Sequence, residues 1–89
     1  MVRMFVRHPV SDYAVWRKAY DDFDKHRRSH GVTADAVFQS VDDSNDVTLF
    51  HDFATRQEAE AFMSSARLKS AMQDAGVAGP PTVWFVTKT

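Results

Sequence analysis

The 89-residue sequence contains no cysteine, which excludes disulfide bonds, thiolate metal ligands and a cysteine nucleophile. It also has no low-complexity tract and no Pro- or Gly-rich linker, with only three residues of each type. Neither sign of charge dominates, since 11 basic side chains stand against 12 acidic ones. Without a strong field of one sign, a nucleic-acid partner is not expected. A chain this short without cross-links must draw its stability from its core or from a partner subunit.

Long apolar runs are absent as well. No segment approaches the roughly 20 apolar residues of a membrane-spanning helix, so no membrane partner is expected. Residues 1–10 carry Arg3 and Arg7 and lack the apolar stretch of a signal peptide. We therefore expect a cytoplasmic protein that forms a single domain over residues 1–89.

The periodicity of apolar residues predicts an α+β chain. Two-residue alternation predicts strands at 2–8, 33–41, 46–53 and 82–88. Spacing of three and four predicts one helix from Ser11 or Asp12 to about Ser29, and a second from Thr55 to about Ala75. The order β-α-β-β-α-β is that of the ferredoxin-like fold. Right-handed crossovers then place both helices on one face of a four-stranded antiparallel sheet.

The face of the sheet without helices is predicted to be apolar too. The third strand brings to it either Phe50 or the pair Leu49 and Phe53, depending on which way that strand faces. Each such side chain left in water costs about 1.5–3 kcal/mol, and a contiguous apolar patch usually marks an interface. We expect two sheets to pack face to face in a homodimer. The alternative is a solvent-exposed face on which polar side chains lie between the apolar ones. The predicted interface residues are Phe5, Phe50, Trp84 and Val86.

Several segments together resemble a known family. The first helix opens with VSDYAVW at 10–16 and closes with Gly31, while the second ends in AGV at 75–77 before Pro80 and Pro81. The second helix also carries a spaced row of apolar and small residues, namely Ala59, Phe62, Ser65, Leu68 and Met72. The chain resembles the dimeric α+β barrel proteins, in particular the small antibiotic biosynthesis monooxygenase-like proteins.

This resemblance implies a homodimeric barrel with a pocket between sheet and helices in each subunit. Such proteins include cofactor-independent oxygenases of aromatic polyketides, haem degraders, and isomerases or cyclases. The haem degraders and the oxygenases both place an asparagine in their pockets. The only asparagine here, Asn45, lies in the predicted hairpin turn at 42–45. Haem binding is therefore disfavoured, and no cofactor is expected.

His51 is the candidate catalytic residue. It lies in the third strand among large apolar residues, and an imidazole with an ordinary pKa near 6.5 can act as an acid or base at neutral pH. The alternative is a structural histidine satisfied by one hydrogen bond. The candidate ligand-binding residues lie on the two helices and at the end of the first strand: Tyr13, Trp16, Tyr20, Phe62, Met72, His8 and Arg7. The aromatic ones among them could equally be core residues.

The sequence indicates neither a metal site nor an RNA-recognition module. Asp22, His26 and His30 have the i, i+4, i+8 spacing of one helix face, but the helix is expected to end near Ser29, so no metal site is predicted. An RNA-recognition module shares the element order, yet residues 48–53 lack its basic-glycine-aromatic run.

The sequence therefore predicts a homodimer that binds a small apolar or aromatic molecule. It would act as a cofactor-independent monooxygenase or as a cyclase or isomerase. The alternative is a non-catalytic ligand-sensing or dimerisation module, with haem binding a more distant option.

Overall fold

A computed structural model describes all residues, 1–89. Its secondary structure consists of four strands and four helices. Their bounds are β1 Val2–Pro9, α1 Tyr13–Asp22, α2 Asp24–Ser29, β2 Ala34–Gln39, β3 Asp46–Phe53, α3 Arg56–Met63, α4 Ala66–Asp74 and β4 Thr82–Val86.

The strands form one antiparallel sheet in the order β2-β3-β1-β4. β1 lies in the centre, where Met4 is paired with both His51 and Phe85, and Phe5 with both Phe50 and Trp84. The predicted ferredoxin-like α+β fold is confirmed. Both edge strands are shorter than predicted, and Val41, which was assigned to β2, is fully exposed beyond its end.

Each predicted helix is divided into two. The first is interrupted at Phe23, whose ψ of 0° leaves the helical range. The carbonyl oxygen of Tyr20 accepts from the backbone N–H of Phe23 and from the guanidinium of Arg27, so the regular i to i+4 pattern stops there. The second helix is interrupted at Ser65. This serine has an extended backbone, and its hydroxyl caps α4 by accepting from the N–H of Leu68 at 3.3 Å.

The remaining helix starts match the sequence. Asp12, one of the two predicted caps, accepts from the N–H groups of Ala14 and Val15. Thr55 caps α3 through the N–H of Glu58, as the capping box predicts. None of the helices is long and apolar enough to cross a membrane.

The core lies between the helices and one face of the sheet. From β3, Val47, Leu49 and Phe53 face the helices and are buried. This settles the orientation of the third strand, because Phe50 must then lie on the opposite face. We call that opposite face the outer face. Phe62 of α3 packs on Phe53 with ring centroids 5.8 Å apart.

The outer face carries a continuous aromatic patch. Phe5 stacks on Trp84 at 5.3 Å and meets Phe50 edge-on at 5.9 Å. Phe38, which was not among the predicted interface residues, extends the patch, since its ring lies 6.3 Å from that of Phe50. Trp84 and Phe38 remain 40% and 52% exposed. Four aromatic side chains thus lie together on the outer face, which no helix covers: Phe5, Phe38, Phe50 and Trp84.

Ion pairs flank the aromatic patch of the outer face. Arg3 makes a bidentate pair with Asp52, at 2.8 and 3.0 Å, and its guanidinium lies 3.8 Å from the ring centroid of Phe50. Arg7 makes a second bidentate pair with Asp46, which lowers the pKa of that carboxyl group. These pairs fix the polar borders of the patch.

Candidate functional site

A cavity of about 70 Å³ lies between the helix-facing side of the sheet and the helices. Its wall is mostly apolar, and three methionines, Met4, Met63 and Met72, contribute to it. The polar groups in the wall come from five side chains: His8, Trp16, Tyr20, Arg27 and His51. A cavity of this size holds about two water molecules. An apolar cavity with a few convergent polar groups has the general character of a ligand site.

Six of the predicted site residues line this cavity. They are His8, Trp16, Tyr20, His51, Phe62 and Met72. Four aromatic rings follow one another along its wall, from His8 to Trp16 at 5.6 Å, to Tyr20 at 5.0 Å and to His51 at 6.0 Å. The aromatic stripe of the first helix therefore joins two imidazoles that come from different strands.

His51 is buried, with 5% of its surface exposed, and only one of its two ring nitrogens has a hydrogen-bond partner. Its Nε2 lies 2.9 Å from the hydroxyl oxygen of Tyr20, whereas its Nδ1 is buried without a hydrogen-bond partner. Burial, followed by the positive charge of Arg27, lowers its pKa to about 4. At neutral pH the imidazole is uncharged and has a lone pair.

Tyr20 connects His51 to a carboxylate. Its hydroxyl donates to Asp35 at 2.7 Å, and Asp35 lies directly across from His51 in the β2–β3 ladder. Burial and the hydrogen bond to Asp35 both raise the pKa of Tyr20, so the phenol stays protonated. Asp35, Tyr20 and His51 thus form a continuous hydrogen-bonded chain. It runs from the edge of the sheet to the cavity.

Arg27 is the only cation in the cavity wall. Its guanidinium lies 3.7 Å from the centroid of the Tyr20 ring and pairs with Asp24 at 3.2 Å and Asp35 at 3.8 Å. It is 3% exposed, and its Nε is buried without a partner. One N–H donor of a cavity-wall residue is therefore left without an acceptor.

His8 lies at the other end of the wall. It is 3% exposed, its Nδ1 is buried and unpartnered, and burial lowers its pKa. His8 also lines a second, polar groove at the end of the sheet, together with Arg7 and Asp46. His8 and Arg7, which were predicted to lie at a pocket mouth, both line this groove. Only His8 also lines the cavity.

Two further residues lie outside the cavity. Tyr13 packs on Trp16 at 5.9 Å and is not part of the wall. Asn45 lies in the turn before β3, as predicted, where its side-chain oxygen accepts from the N–H of Tyr13 at 3.0 Å. Its role is to hold the start of α1.

The sequence reasoning missed Arg27 and Asp35 as site residues. Arg27 had a signal, since it continues the spacing of Tyr20 and Phe23 along the apolar stripe, which is an unusual place for a charge. Asp35 had one only through register, because the hairpin places it opposite His51.

No family profile matches the chain, and a search of the curated proteins returns no match. Solved structures do match over almost its whole length. A protein from Bordetella bronchiseptica, described as an antibiotic biosynthesis monooxygenase, superimposes with a TM-score of 0.85 at 19% identity, covering 99% of this chain and 96% of its own.

Two other similar structures have a stated chemistry. A monooxygenase of Streptomyces coelicolor in complex with nanaomycin D has a TM-score of 0.73 at 22% identity, covering 99% of this chain and 87% of its own. SnoaB, a cofactor-independent oxygenase from Streptomyces nogalater, has a TM-score of 0.77 at 10% identity, covering 98% and 91%. The resemblance noted in the sequence is confirmed: this chain has the fold of the antibiotic biosynthesis monooxygenase-like proteins.

Proposed function

We propose that the protein binds a compact, mainly aromatic molecule in the cavity and removes a proton from it with His51. The observation that carries this proposal is the buried, unpartnered Nδ1 of His51, a residue of the cavity wall, while its Nε2 is held by Tyr20. A buried polar atom without a partner costs about 1–3 kcal/mol, so it needs an explanation. A ligand hydroxyl or acidic C–H would supply the missing partner.

The low pKa of His51 selects the kind of substrate. A base whose conjugate acid has a pKa of about 4 is weak, so it can remove a proton only from an activated group, such as an enol, a phenol or a CH₂ that both an aromatic ring and a carbonyl group activate. The unpartnered Nε–H of Arg27, a residue of the same cavity wall, would stabilise the anion that results. These features favour an aromatic ketone or phenol.

The electron-rich anion could then follow either of two paths. Reprotonation at another carbon gives isomerisation. Reaction with O₂ gives oxygenation, in which R₂CH₂ + O₂ yields R₂C=O + H₂O, one oxygen atom being retained and the other leaving as water. The shared fold with SnoaB, described as a cofactor-independent oxygenase, favours the second path. No metal or flavin is required in this scheme, since the substrate anion supplies the electrons.

The cavity must widen to admit such a ligand, because ligand pockets usually have volumes of about 300 Å³ or more, whereas this cavity has about 70 Å³. Met63 and Met72 form part of the wall, and unbranched methionine side chains rearrange readily. The polar groove beside His8 is the proposed route of entry.

A test can follow proton removal without oxygen. 2-Tetralone, a compact bicyclic ketone with an acidic CH₂ group, would be incubated with the protein in D₂O, and loss of its CH₂ signal followed by NMR. We expect the wild-type protein to accelerate exchange, and His51→Gln to reduce the acceleration by at least a hundredfold, the size of a general-base contribution. Oxygen uptake with anthrone, which should give anthraquinone and water, then tests the oxygenase path.

The matched control is Ala71→Phe, which fills the cavity from α4 and leaves His51 itself in place. It should abolish exchange and also abolish the thermal shift caused by 2-tetralone. A folded His51→Gln variant that exchanges 2-tetralone as fast as wild type would refute the role of His51. A ligand-induced thermal shift without any exchange would favour the non-catalytic, ligand-sensing function.

The second part of the proposal is a homodimer formed through the outer face. The exposed parts of Trp84 and Phe38 form one aromatic patch with Phe5 and Phe50, and Val86 is 39% exposed beside it. A patch of this kind on a small chain is best covered by a second copy, since the Arg3–Asp52 and Arg7–Asp46 pairs already neutralise its borders.

Sedimentation at micromolar concentration tests the dimer. Wild type should sediment as a dimer, and Trp84→Glu should sediment as a monomer, because it places a charge within the aromatic patch. Val41→Glu adds the same charge at a fully exposed position outside the sheet and should remain dimeric. A monomeric wild type would sink this part of the proposal while leaving the cavity chemistry untouched.

A further inference from the structure

We propose that Asp35 and Tyr20 are positioning residues that hold His51 in one tautomer, with its proton on Nε2 and its lone pair on Nδ1. The same chain would release a proton to water when Nδ1 takes one from the substrate. Asp35 has no assigned role, and the inference deepens the proposed function, on which its second half rests. It is carried by two distances, 2.7 Å from the Tyr20 hydroxyl to Asp35 and 2.9 Å from that hydroxyl to Nε2 of His51.

The tautomer follows from counting donors and acceptors. Asp35 is held by the guanidinium of Arg28 at 3.1 Å, with Arg27 at 3.8 Å, so it is a carboxylate and can only accept. The single hydroxyl proton of Tyr20 must therefore point to Asp35. The oxygen of Tyr20 can then only accept from His51, so Nε2 carries the proton of the neutral ring.

The opposite tautomer would leave two acceptors facing each other. With a lone pair on Nε2, the hydroxyl of Tyr20 would have to donate to His51, and its oxygen would face the Asp35 carboxylate at 2.7 Å with no proton between them. Such an arrangement loses a charge-assisted hydrogen bond in a buried site. The geometry thus disfavours a proton on Nδ1.

The fixed tautomer directs the basic nitrogen. With Nε2 occupied, the only lone pair of His51 is on Nδ1, the atom that is buried without a partner in a residue of the cavity wall. An imidazole free to exchange tautomers would present a lone pair there only part of the time. Tyr20 and Asp35 therefore do for His51 what an orienting hydrogen bond does for other histidine bases.

The chain also provides a route for the proton. When Nδ1 accepts a proton, Nε2–H can pass its own proton to the oxygen of Tyr20 while the hydroxyl proton moves to Asp35. The carboxyl group is 17% exposed at the edge strand β2 and can release the proton to water. His51 is then neutral with the proton on Nδ1. The starting tautomer returns when Asp35 takes a proton from water, Nε2 receives one through the Tyr20 hydroxyl, and Nδ1–H gives its proton to the product anion. Over the cycle one proton passes from substrate to product, and the proton released to water is taken back.

Nitrogen-15 NMR of the uniformly labelled protein tests the tautomer without any ligand. Long-range correlations from the ring C–H protons distinguish a protonated nitrogen from one with a lone pair. The chain has four histidines, and the His51 signals are identified by their loss in His51→Gln. We expect the wild type at pH 7 to show Nε2 protonated and Nδ1 unprotonated. A His51 with the proton on Nδ1, or an equal mixture, would overturn the proposal.

Two variants test the cause. Tyr20→Phe keeps the ring but removes the hydroxyl, and should populate both tautomers of His51. Asp35→Asn introduces an amide that can donate to the Tyr20 oxygen, and should shift the proton of His51 towards Nδ1. Tyr13→Phe, the same change on the same helix outside the cavity wall, should leave the His51 signals unchanged. Wild-type shifts for His51 in both site variants would also count against the proposal.

The catalytic half uses 2-tetralone exchange. Tyr20→Phe and Asp35→Asn should slow exchange about tenfold or more, the usual effect of removing an orienting partner, while the thermal shift by 2-tetralone persists. If wild type shows the expected tautomer but no exchange, the proposed function fails and the positioning stands. If exchange occurs and depends on His51 but not on Tyr20 or Asp35, the positioning fails and the function stands.

Discussion

Acidification should destabilise this protein through His51 at a pH where its carboxylates are still ionised. Burial and the charge of Arg27 lower the pKa of the folded imidazole from 6.5 to about 4. As the pH falls through 6.5, the unfolded chain binds a proton at His51 that the folded chain does not. The stability is therefore lost progressively between about pH 6.5 and pH 4, and this contribution levels off below pH 4.

The size of the effect follows from the shift. A difference of about 2.5 pKa units corresponds to about 3 kcal/mol, since each unit is worth about 1.4 kcal/mol. Within the window, the free energy of unfolding should change by up to about 1.4 kcal/mol per pH unit. The groups that set the shift are Arg27 and Arg28, which oppose protonation, and Asp35 and Asp52, which favour it. Domains of this size have only about 5–15 kcal/mol in total, so the loss is large.

Urea unfolding at fixed protein concentration, from pH 7.5 to 4, measures this slope. His51→Gln keeps an N–H donor for Tyr20 but cannot bind a proton, so its curve should be flatter than that of wild type. The difference should be close to one proton between pH 6 and 4.5. His8 is shifted in the same direction and remains in both proteins, so some slope should persist in the variant. Parallel curves for the two proteins would refute the interpretation that His51 is buried and neutral.

Three further changes test the packing of the site and of the chain around it. Arg27→Met should lower the free energy of unfolding by about 3 kcal/mol, since it removes a buried charge that pairs with Asp24 and Asp35, and Arg27→Lys should lose less; urea unfolding at pH 7 measures both, and equal stability would contradict the burial of this charge. Phe53→Ala should cost about 3–5 kcal/mol because the ring is fully buried, and a loss below 1 kcal/mol would show a poorly packed core. Gly31→Ala should cost about 1–2 kcal/mol, because φ is +91° there and the added Cβ would meet the side chain of Glu58; an unchanged melting temperature would argue against this backbone conformation.

The fold could be predicted from the sequence because its signals are local. Two-residue alternation in 46–53 gives β3 with correct bounds, and the caps at Asp12 and Thr55 give two helix starts. The helix breaks at Phe23 and Ser65 were missed for different reasons. At Phe23 the cause is a contact between residues about two turns apart, the guanidinium of Arg27 on the carbonyl oxygen of Tyr20, which no periodicity shows. At Ser65 the cap was visible but lay inside a strong apolar repeat.

The site was predictable only where one element carries it. Trp16, Tyr20 and His51 were identified from the sequence because each lies on an apolar face. Asp35 was not, because its importance comes from the register of β2 on β3, which places it across from His51. The same register decides that Phe50 and Phe38 share the outer face, and it cannot be obtained from either strand alone.

The helix-facing side of β3 shows why the polar groups of the cavity call for a function. Val47, Leu49 and Phe53 on this side are the residues that a buried strand needs. His51 lies between them, and with Arg27 it brings a titratable ring and a charge into the interior of a chain with little stability to lose. An apolar residue at position 51 would remove the loss of about 3 kcal/mol of folding stability that His51 causes on acidification. It would also remove the unpartnered Nδ1. Sequences break local rules chiefly at functional sites, and here the break is supported by a second hydrogen-bonding residue and a carboxylate. A merely structural histidine would need neither a fixed tautomer nor a ring nitrogen without a hydrogen-bond partner in a residue of a cavity wall.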